Sequence, residues 1–233
     1  MNILYLGHSC FLIESAGVRV IIDPFISGNP NAPIKKEDIV DLTAVLVTHG
    51  HADHTGDCIE IAAANRCPII TSYELAVQLA QKGAEVHPMG IGGAYDFEWG
   101  RVKLTPAWHG AGIELEGNAF NYGGIAAGML LTMRDTTIYH AGDTALFGDM
   151  KLIGELNPID IAMLPIGDNF TMGIEDSVIA AGWLGAKLTI PMHYNTFPLI
   201  AQDPSKWSER MAKQQLKGQV LKAGESFNTV TYA

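Results

Sequence analysis

Residues 48–54 read Thr48-His49-Gly50-His51-Ala52-Asp53-His54, three imidazoles and a carboxylate within six residues. A fixed His-x-His-x-Asp-His pattern arises by chance in about one of two thousand chains of this composition. The placement adds to the signal. The apolar run Ala44–Val47 reads as a buried strand ending at Thr48, and a helix is expected from about Asp57 to Asn65. A strand entering a Gly/Ala-spaced loop projects alternate side chains toward one point, and the start of the next helix turns Asp53 and His54 back toward it. Four donors from so short a stretch can serve two neighbouring metal ions. A solvated polar loop ahead of a helix is the plainer alternative, and it leaves the three histidines unexplained.

Upstream, the β-rich runs Ile3–Leu6, Cys10–Glu14 and Val18–Asp23, parted by Gly7 and by Ala16-Gly17, read as closely connected antiparallel strands. Downstream, a strand is expected at Pro68–Thr71, a helix at Tyr73–Lys82, and strands at Val86–Pro88, Ala94–Glu98 and Arg101–Pro106. The pattern then partly recurs. Ala126–Met133 and Thr136–His140 read as a hairpin across Arg134-Asp135, leading into Ala141-Gly142-Asp143 and a helix over Ala145–Leu156. A strand Ile159–Leu164, a helix Glu175–Leu184, a strand Leu188–Pro191 and a closing helix Ser205–Leu216 follow. This order suits an α/β fold of two packed sheets with helices outside. No linker or low-complexity segment interrupts it, so residues 1–233 read as a single domain. The glycine-rich stretch Gly110–Gly124 reads as a mobile loop beside a site.

Composition narrows the function classes. With 48% hydrophobic and 17% charged residues, the chain can bury a sizeable core. No apolar run approaches the roughly 18 residues of a membrane span. The opening MNILYLG lacks a basic n-region, so a cytoplasmic location is the expectation. Cys10, Cys58 and Cys67 show no zinc-finger or CxxC spacing and read as buried hydrophobes. The net charge of −10, with no dense basic stretch, argues against nucleic acid as a partner, because such binding needs a cationic surface to displace counterions.

His49, His51, Asp53 and His54 resemble the signature of the metallo-β-lactamase fold superfamily, whose members are four-layer αββα sandwiches. The family pattern then requires a later His, Asp and His at strand ends, which His109, Asp143 and His193 supply. The resemblance implies that His49, His51 and His109 bind one metal, that Asp53, His54 and His193 bind another, and that Asp143 bridges them. It also implies that Asp23, in Ile22-Asp23-Pro24, orients a ligand histidine. Asp143 stands where the classical periplasmic β-lactamases have cysteine, which argues against antibiotic hydrolysis. His51 stands where flavodiiron oxygen reductases have glutamate, which favours hydrolysis over redox chemistry. The opening Gly7-His8-Ser9-Cys10-Phe11 and the minimal length are similar to the compact branch that holds the ascorbate-phosphate lactonase.

These residues imply two divalent ions, zinc first, with manganese, nickel, iron or cobalt also suited to imidazole and carboxylate. A bridging hydroxide is then expected to attack a small-molecule ester, lactone or related bond. Asp53 is expected to help move a proton, and His8 to act as proton donor, substrate contact or extra ligand. His140 reads as a residue behind the site, and His87 as structural. Pro165–Gly173 can line a pocket through Asp168, Asn169 and Thr171, or form a plain turn. A homo-oligomer is compatible with the sequence; no membrane partner is expected. Two alternatives stay open: a phosphodiesterase or nuclease of the same fold, and a metal- or ligand-binding module without turnover.

Overall fold

In a computed structural model that describes residues 1–115, 117 and 119–229, the short connections of the opening strands and the longer ones after them leave their mark on the sheets. The first strands are β1 (Asn2–Gly7), β2 (Cys10–Ser15), β3 (Val18–Ile22) and β4 (Ala44–Leu46). Helices α1 (Ala52–Thr55) and α2 (Cys58–Asn65), strand β5 (Ile69–Ser72), helix α3 (Tyr73–Gln81) and strand β6 (Val86–Met89) come next. Strands β7 (Ala94–Phe97), β8 (Gly100–Pro106), β9 (Ile113–Leu115), β10 (Ala119–Asn121), β11 (Ala127–Met133) and β12 (Thr136–His140) follow. The chain continues through α4 (Met150–Leu156), β13 (Ile161–Pro165), α5 (Ile174–Leu184), β14 (Leu188–Met192), α6 (Pro204–Lys213) and β15 (Ser226–Asn228).

These elements form two compact units. The first comprises Met1–Ile91, Gly110–Ala126 and the chain from Lys222; the second comprises Gly92–His109 and Ala127–Leu221. The first unit's sheet has the order β15-β1-β2-β3-β4-β5-β6. Its pairs from β15 to β3 are antiparallel, and those from β3 to β6 are parallel. The second unit's sheet has the order β14-β13-β12-β11-β8-β7, antiparallel from β7 to β12 and parallel from β12 to β14. In an open α/β sheet, ligands gather at the carboxyl ends of the parallel strands, near the point where the connection changes sense. Asp23 and His49 lie at those ends in the first unit, Asp143 and His193 in the second.

The strands with near-continuous apolar runs, β4 and β5, are buried on both faces, as parallel strands require. On one face Leu6, Leu12, Ile21, Val45, Val47 and Ile69 pack with Ile61 of α2 and Leu75 and Leu79 of α3. The four-residue spacing of Leu75 and Leu79 sets them on one stripe of the helix, each contributing about 1.5–3 kcal/mol when fully buried. In the second unit α5 lies on β13 with α4 and α6 against it. Trp207 and Met211, again four apart, are the buried stripe of α6, and the Trp207 indole N–H donates to Ser177 Oγ at 3.3 Å.

Most elements stand where the sequence pattern places them. The helix expected from Ala145 begins at Met150: Ala145 N–H is spent on Trp108 C=O (3.1 Å), residues 145–147 have no regular structure, and a turn at 148–149 leads into the helix. The closing helix ends at Lys213, and Gln215 adopts a left-handed conformation (φ 58°). The glycine-rich stretch carries the two-stranded ribbon of β9 and β10; Glu116 and Asn118 of the expected loop lie outside the described residues. Among the described residues no helix is long and apolar enough to cross a membrane.

Candidate metal centre

In the first unit the motif loop is organised by one buried carboxylate. Asp23, in a left-handed conformation at the end of β3 (φ 48°), accepts from Thr48 N–H (2.8 Å), Thr48 Oγ–H (2.7 Å) and His54 Nδ1–H (2.7 Å). These bonds fix two tautomers. His54 gives its Nδ1 proton to Asp23 and keeps Nε2 as a lone-pair donor. Thr48 has one proton, which goes to Asp23, so toward His49 Nδ1 (3.0 Å) its oxygen accepts. His49 therefore carries its proton on Nδ1 and also presents Nε2. A carboxylate that accepts the far ring proton of an imidazole orients it as a ligand and raises its basicity. Asp23 thus orients His54, a histidine that the sequence resemblance makes a ligand. Thr48, given no role from sequence, extends the same control to His49.

The remaining donors of this unit converge on the same region. His49 Nε2 lies 3.0 Å from His51 Nδ1, and the His49 and His54 rings are 4.1 Å apart at their centroids. Asp53, on the first turn of α1, sets Oδ2 3.0 Å from His8 Nε2 and Oδ1 4.0 Å from His54 Nε2. His8 sits in the turn between β1 and β2 with φ 56°, and Tyr5 Oη–H donates to its carbonyl at 2.9 Å. His8, Asp53 and His54 offer ligand atoms within 4.8 Å of one another. The structure thus brings His8, His49, His51, Asp53 and His54 together.

In the second unit Asp143 is the shared point. Its Oδ2 lies 2.9 Å from His193 Nε2 and 3.5 Å from His109 Nε2. Peptide groups and the Thr144 hydroxyl hold this triangle. Trp108 N–H donates to Thr144 Oγ (3.0 Å) and Ala145 N–H to Trp108 C=O (3.1 Å), pinning His109 beside the Asp143 turn. His193 follows β14 in a left-handed conformation (φ 54°). Gly167, at the end of β13, lies so close that a Cβ there would be 2.3 Å from His193 C=O and 3.2 Å from its Nδ1. The sequence offers no sign of this contact beyond a glycine at a strand end.

His140 is fully buried, and its Nδ1 accepts from Gly142 N–H (3.2 Å), which places its proton on Nε2 and shapes the turn before Asp143. His87 lies half-buried on β6 in register with Ile70. Among the described residues neither joins a group of metal-capable side chains. Asp168 and Asn169 are exposed, and Asp168 N–H donates to Met172 C=O (3.0 Å), so this stretch forms a turn.

The donors suit a divalent cation. Both imidazoles with fixed tautomers present an unprotonated nitrogen, and the carboxylates lie within ligand reach of imidazole in each unit. Nitrogen and oxygen donors of this kind serve zinc and its first-row neighbours.

Known proteins agree with this chemistry. Residues 18–194 match the beta-lactamase superfamily domain. A UPF0173 metal-dependent hydrolase of Bacillus cereus (strain B4264) is 52% identical over 227 residues, 97% of this chain and 99% of that protein. The solved structure of Igni18, a metallo hydrolase from Ignicoccus hospitalis, superposes with a TM-score of 0.88 at 34% identity, covering 97% of this chain and 98% of its own. An isothiocyanate hydrolase from Delia radicum gut bacteria shares the fold at 20% identity, with a TM-score of 0.76 over 98% of this chain and 99% of that one. The expected α/β metallo-β-lactamase fold is thereby borne out. Family match, donor chemistry and near full-length relatives converge: the chain belongs to the beta-lactamase superfamily, among its UPF0173 metal-dependent hydrolases.

Proposed function

We propose that this metal-dependent hydrolase cleaves a small-molecule ester, lactone or related bond with two divalent ions, zinc first among them. His49, His51, His109, Asp53, His54, His193 and Asp143 would hold the ions. The observation that carries the reading is the bond from Asp23 to His54 together with the bond through Thr48 to His49, which leaves both Nε2 atoms as lone-pair donors. Bound divalent ions would supply a lowered water pKa and a Lewis acid toward the substrate oxygen.

The chain's own residues supply positioning and proton handling. Asp23 and Thr48 hold imidazole orientation through the reaction. His8, turned into place by its left-handed backbone, holds the outer oxygen of Asp53 (3.0 Å), so that a proton taken by Asp53 from the attacking water can be passed on at His8 Nε2 to the departing alkoxide. Water is consumed, the acyl bond breaks, and acid and alcohol leave. The net charge of −10 supports a small-molecule substrate over nucleic acid or an anionic membrane, and a cytoplasmic setting fits the cysteine usage. The protein can act as a homo-oligomer or alone.

The test is hydrolysis of δ-valerolactone, 4-nitrophenyl acetate and bis(4-nitrophenyl) phosphate by protein with and without a chelator. Chelator-sensitive turnover of the first two, restored by zinc, is expected. Faster cleavage of the phosphodiester would replace this reading with a phosphodiesterase. Stable metal binding without turnover would replace it with a binding module.

A further inference from the structure

The ribbon of β9 and β10 has a use that the metal ligands do not explain. It begins beside His51: a Cβ on Gly110 would lie 3.6 Å from His51 Nε2 and Cε1. Two residues on, at most about 7.6 Å of chain, a Cβ on Gly112 would meet the Phe120 ring at 3.0 Å. The return strand is drawn to the same place. A Cβ on Gly123 would fall 1.9 Å from Ala111 C=O, a distance no other residue type tolerates, so Tyr122 leaves the ribbon next to Ala111. Glu114 pairs with Phe120 and Ile113 with Asn121. Side chains alternate along β10, so Asn121 turns away from Phe120 and its amide donates to Gln78 Oε1 of α3 (3.5 Å), while Tyr122 follows directly after the strand. Phe120 is 62% exposed and Tyr122 70%. From Gly110 to Ile125 the sequence has two glutamates and no lysine or arginine.

The geometry points to Phe120 and Tyr122 as specificity-determining residues that receive an uncharged alkyl or aryl group of the substrate. The inference rests on the small-molecule hydrolase reading and names the substrate class for that site. Two exposed rings rooted within a few residues of a ligand histidine give the apolar group a surface to cover. Glu114 opposite Phe120, on a stretch that carries no lysine or arginine, repels a carboxylate or phosphate at that end. Neutral, hydrophobically substituted lactones and esters fit, and phosphorylated ones do not.

Two lactones of one ring size test this: δ-valerolactone and δ-decalactone, which adds a pentyl chain. Each fully seated methylene raises kcat/KM by about fourfold. The native protein is expected to favour the decalactone by about tenfold or more. Phe120→Ser/Tyr122→Ser should lower that ratio by about fivefold or more, and Phe120→Leu/Tyr122→Phe, which keeps the surface apolar, should retain it. Glu114→Gln should improve turnover of a lactone bearing a terminal carboxylate. Saturation-transfer NMR with 2-pentylcyclopentanone, a neutral ketone that cannot be hydrolysed, reads the same surface in metal-free protein. Its pentyl protons should gain signal with the native chain and lose it with the double serine variant. Circular dichroism checks that each variant is folded.

Turnover of both lactones with a ratio unmoved by the serines, and no ketone signal, would overturn the inference and leave the hydrolase reading standing. Loss of a dimer in the serine variant with the ratio unchanged would overturn it as well, assigning the rings to an interface between copies. A ketone signal that depends on the rings, without turnover of either lactone, would uphold the apolar surface and remove the hydrolase reading.

Discussion

The two units solve one problem, holding imidazole and carboxylate donors at strand ends, by different means. The first unit takes its motif donors from six consecutive residues and orients them with a buried side chain: Asp23 and Thr48 set the tautomers of His49 and His54. The second takes His109, Asp143 and His193 from three separate strand ends and orients them mainly with backbone: the Trp108 and Ala145 peptide groups, joined by the Thr144 hydroxyl, and the close approach of Gly167 to His193. A side-chain network fails when its chemistry changes, even if volume is kept. A backbone contact fails when volume is added, whatever the chemistry.

The largest effect should come from the carboxylate on which the second unit's donors converge. Asp143→Ala removes the carboxylate beside His109 and His193. Losing a partner one shell further out already costs about 10–100-fold, so kcat/KM should fall by more than about a hundredfold, with bound metal lost and circular dichroism unchanged. Full activity in this variant would break the assignment in the second unit.

Next comes Asp23→Asn, which keeps volume and removes charge. Metal affinity or turnover should fall by about 10–100-fold, measured by metal titration and kinetics. Near-native values would show that Thr48 and the loop backbone suffice. Gly167→Ala adds one carbon 2.3 Å from His193 C=O. Overpacking of this kind costs about 1–3 kcal/mol, read as a lower Tm, and should weaken metal binding by displacing His193. An unchanged Tm would remove the claim that backbone packing positions this ligand.

Sequence spoke more plainly about the first unit than about the second. The motif is local, and its spacing alone announced a metal-binding loop. His109, Asp143 and His193 are isolated histidines and an aspartate, and only their order after the motif gave them meaning. The hydrogen bonds that fix tautomers were half visible: Asp23 stood at a strand end, but nothing in the pattern showed that Thr48 would pass its influence to His49. The ribbon is not legible in the sequence because five glycines hide the short apolar alternation of Ile113, Leu115 and Phe120. β15 is equally hidden, since three residues pairing with β1 across the length of the chain leave no local signature. Gly167 carries a contact that exists only in three dimensions.

The smallest predicted effect separates the units directly, since all four tryptophans lie in the second and all three cysteines, each buried, in the first. Asp57 accepts from Ile26 N–H (3.0 Å), Ser27 N–H (2.8 Å) and Ser27 Oγ–H (2.6 Å), fastening the loop after β3 to the start of α2. Burial works against its charge, but the Ser27 and Ile26 bonds and Lys36 outweigh it and hold the carboxyl below its usual value of 3.8. Ionised Asp57 therefore stabilises the fold above that value, and the contribution is lost as pH falls through the lower folded value. Asp57→Asn should cost about 1–2 kcal/mol at pH 7, with the difference from native closing below about pH 4. Burial pushes the Cys58 thiol up to about 12, so alkylation at pH 8 reports opening of the first unit. The variant should label faster at Cys58 with tryptophan emission unchanged; a matched change in both probes would mean that the units open together.

The central proposal is that the chain holds two metal ions through its histidines and aspartates. Metal per chain, measured by elemental mass spectrometry on protein purified without chelator or added metal, tests it most directly. About two equivalents, falling on Asp143→Ala, are predicted. No metal as purified, and none taken up on reconstitution with zinc, manganese, iron or nickel, would contradict it.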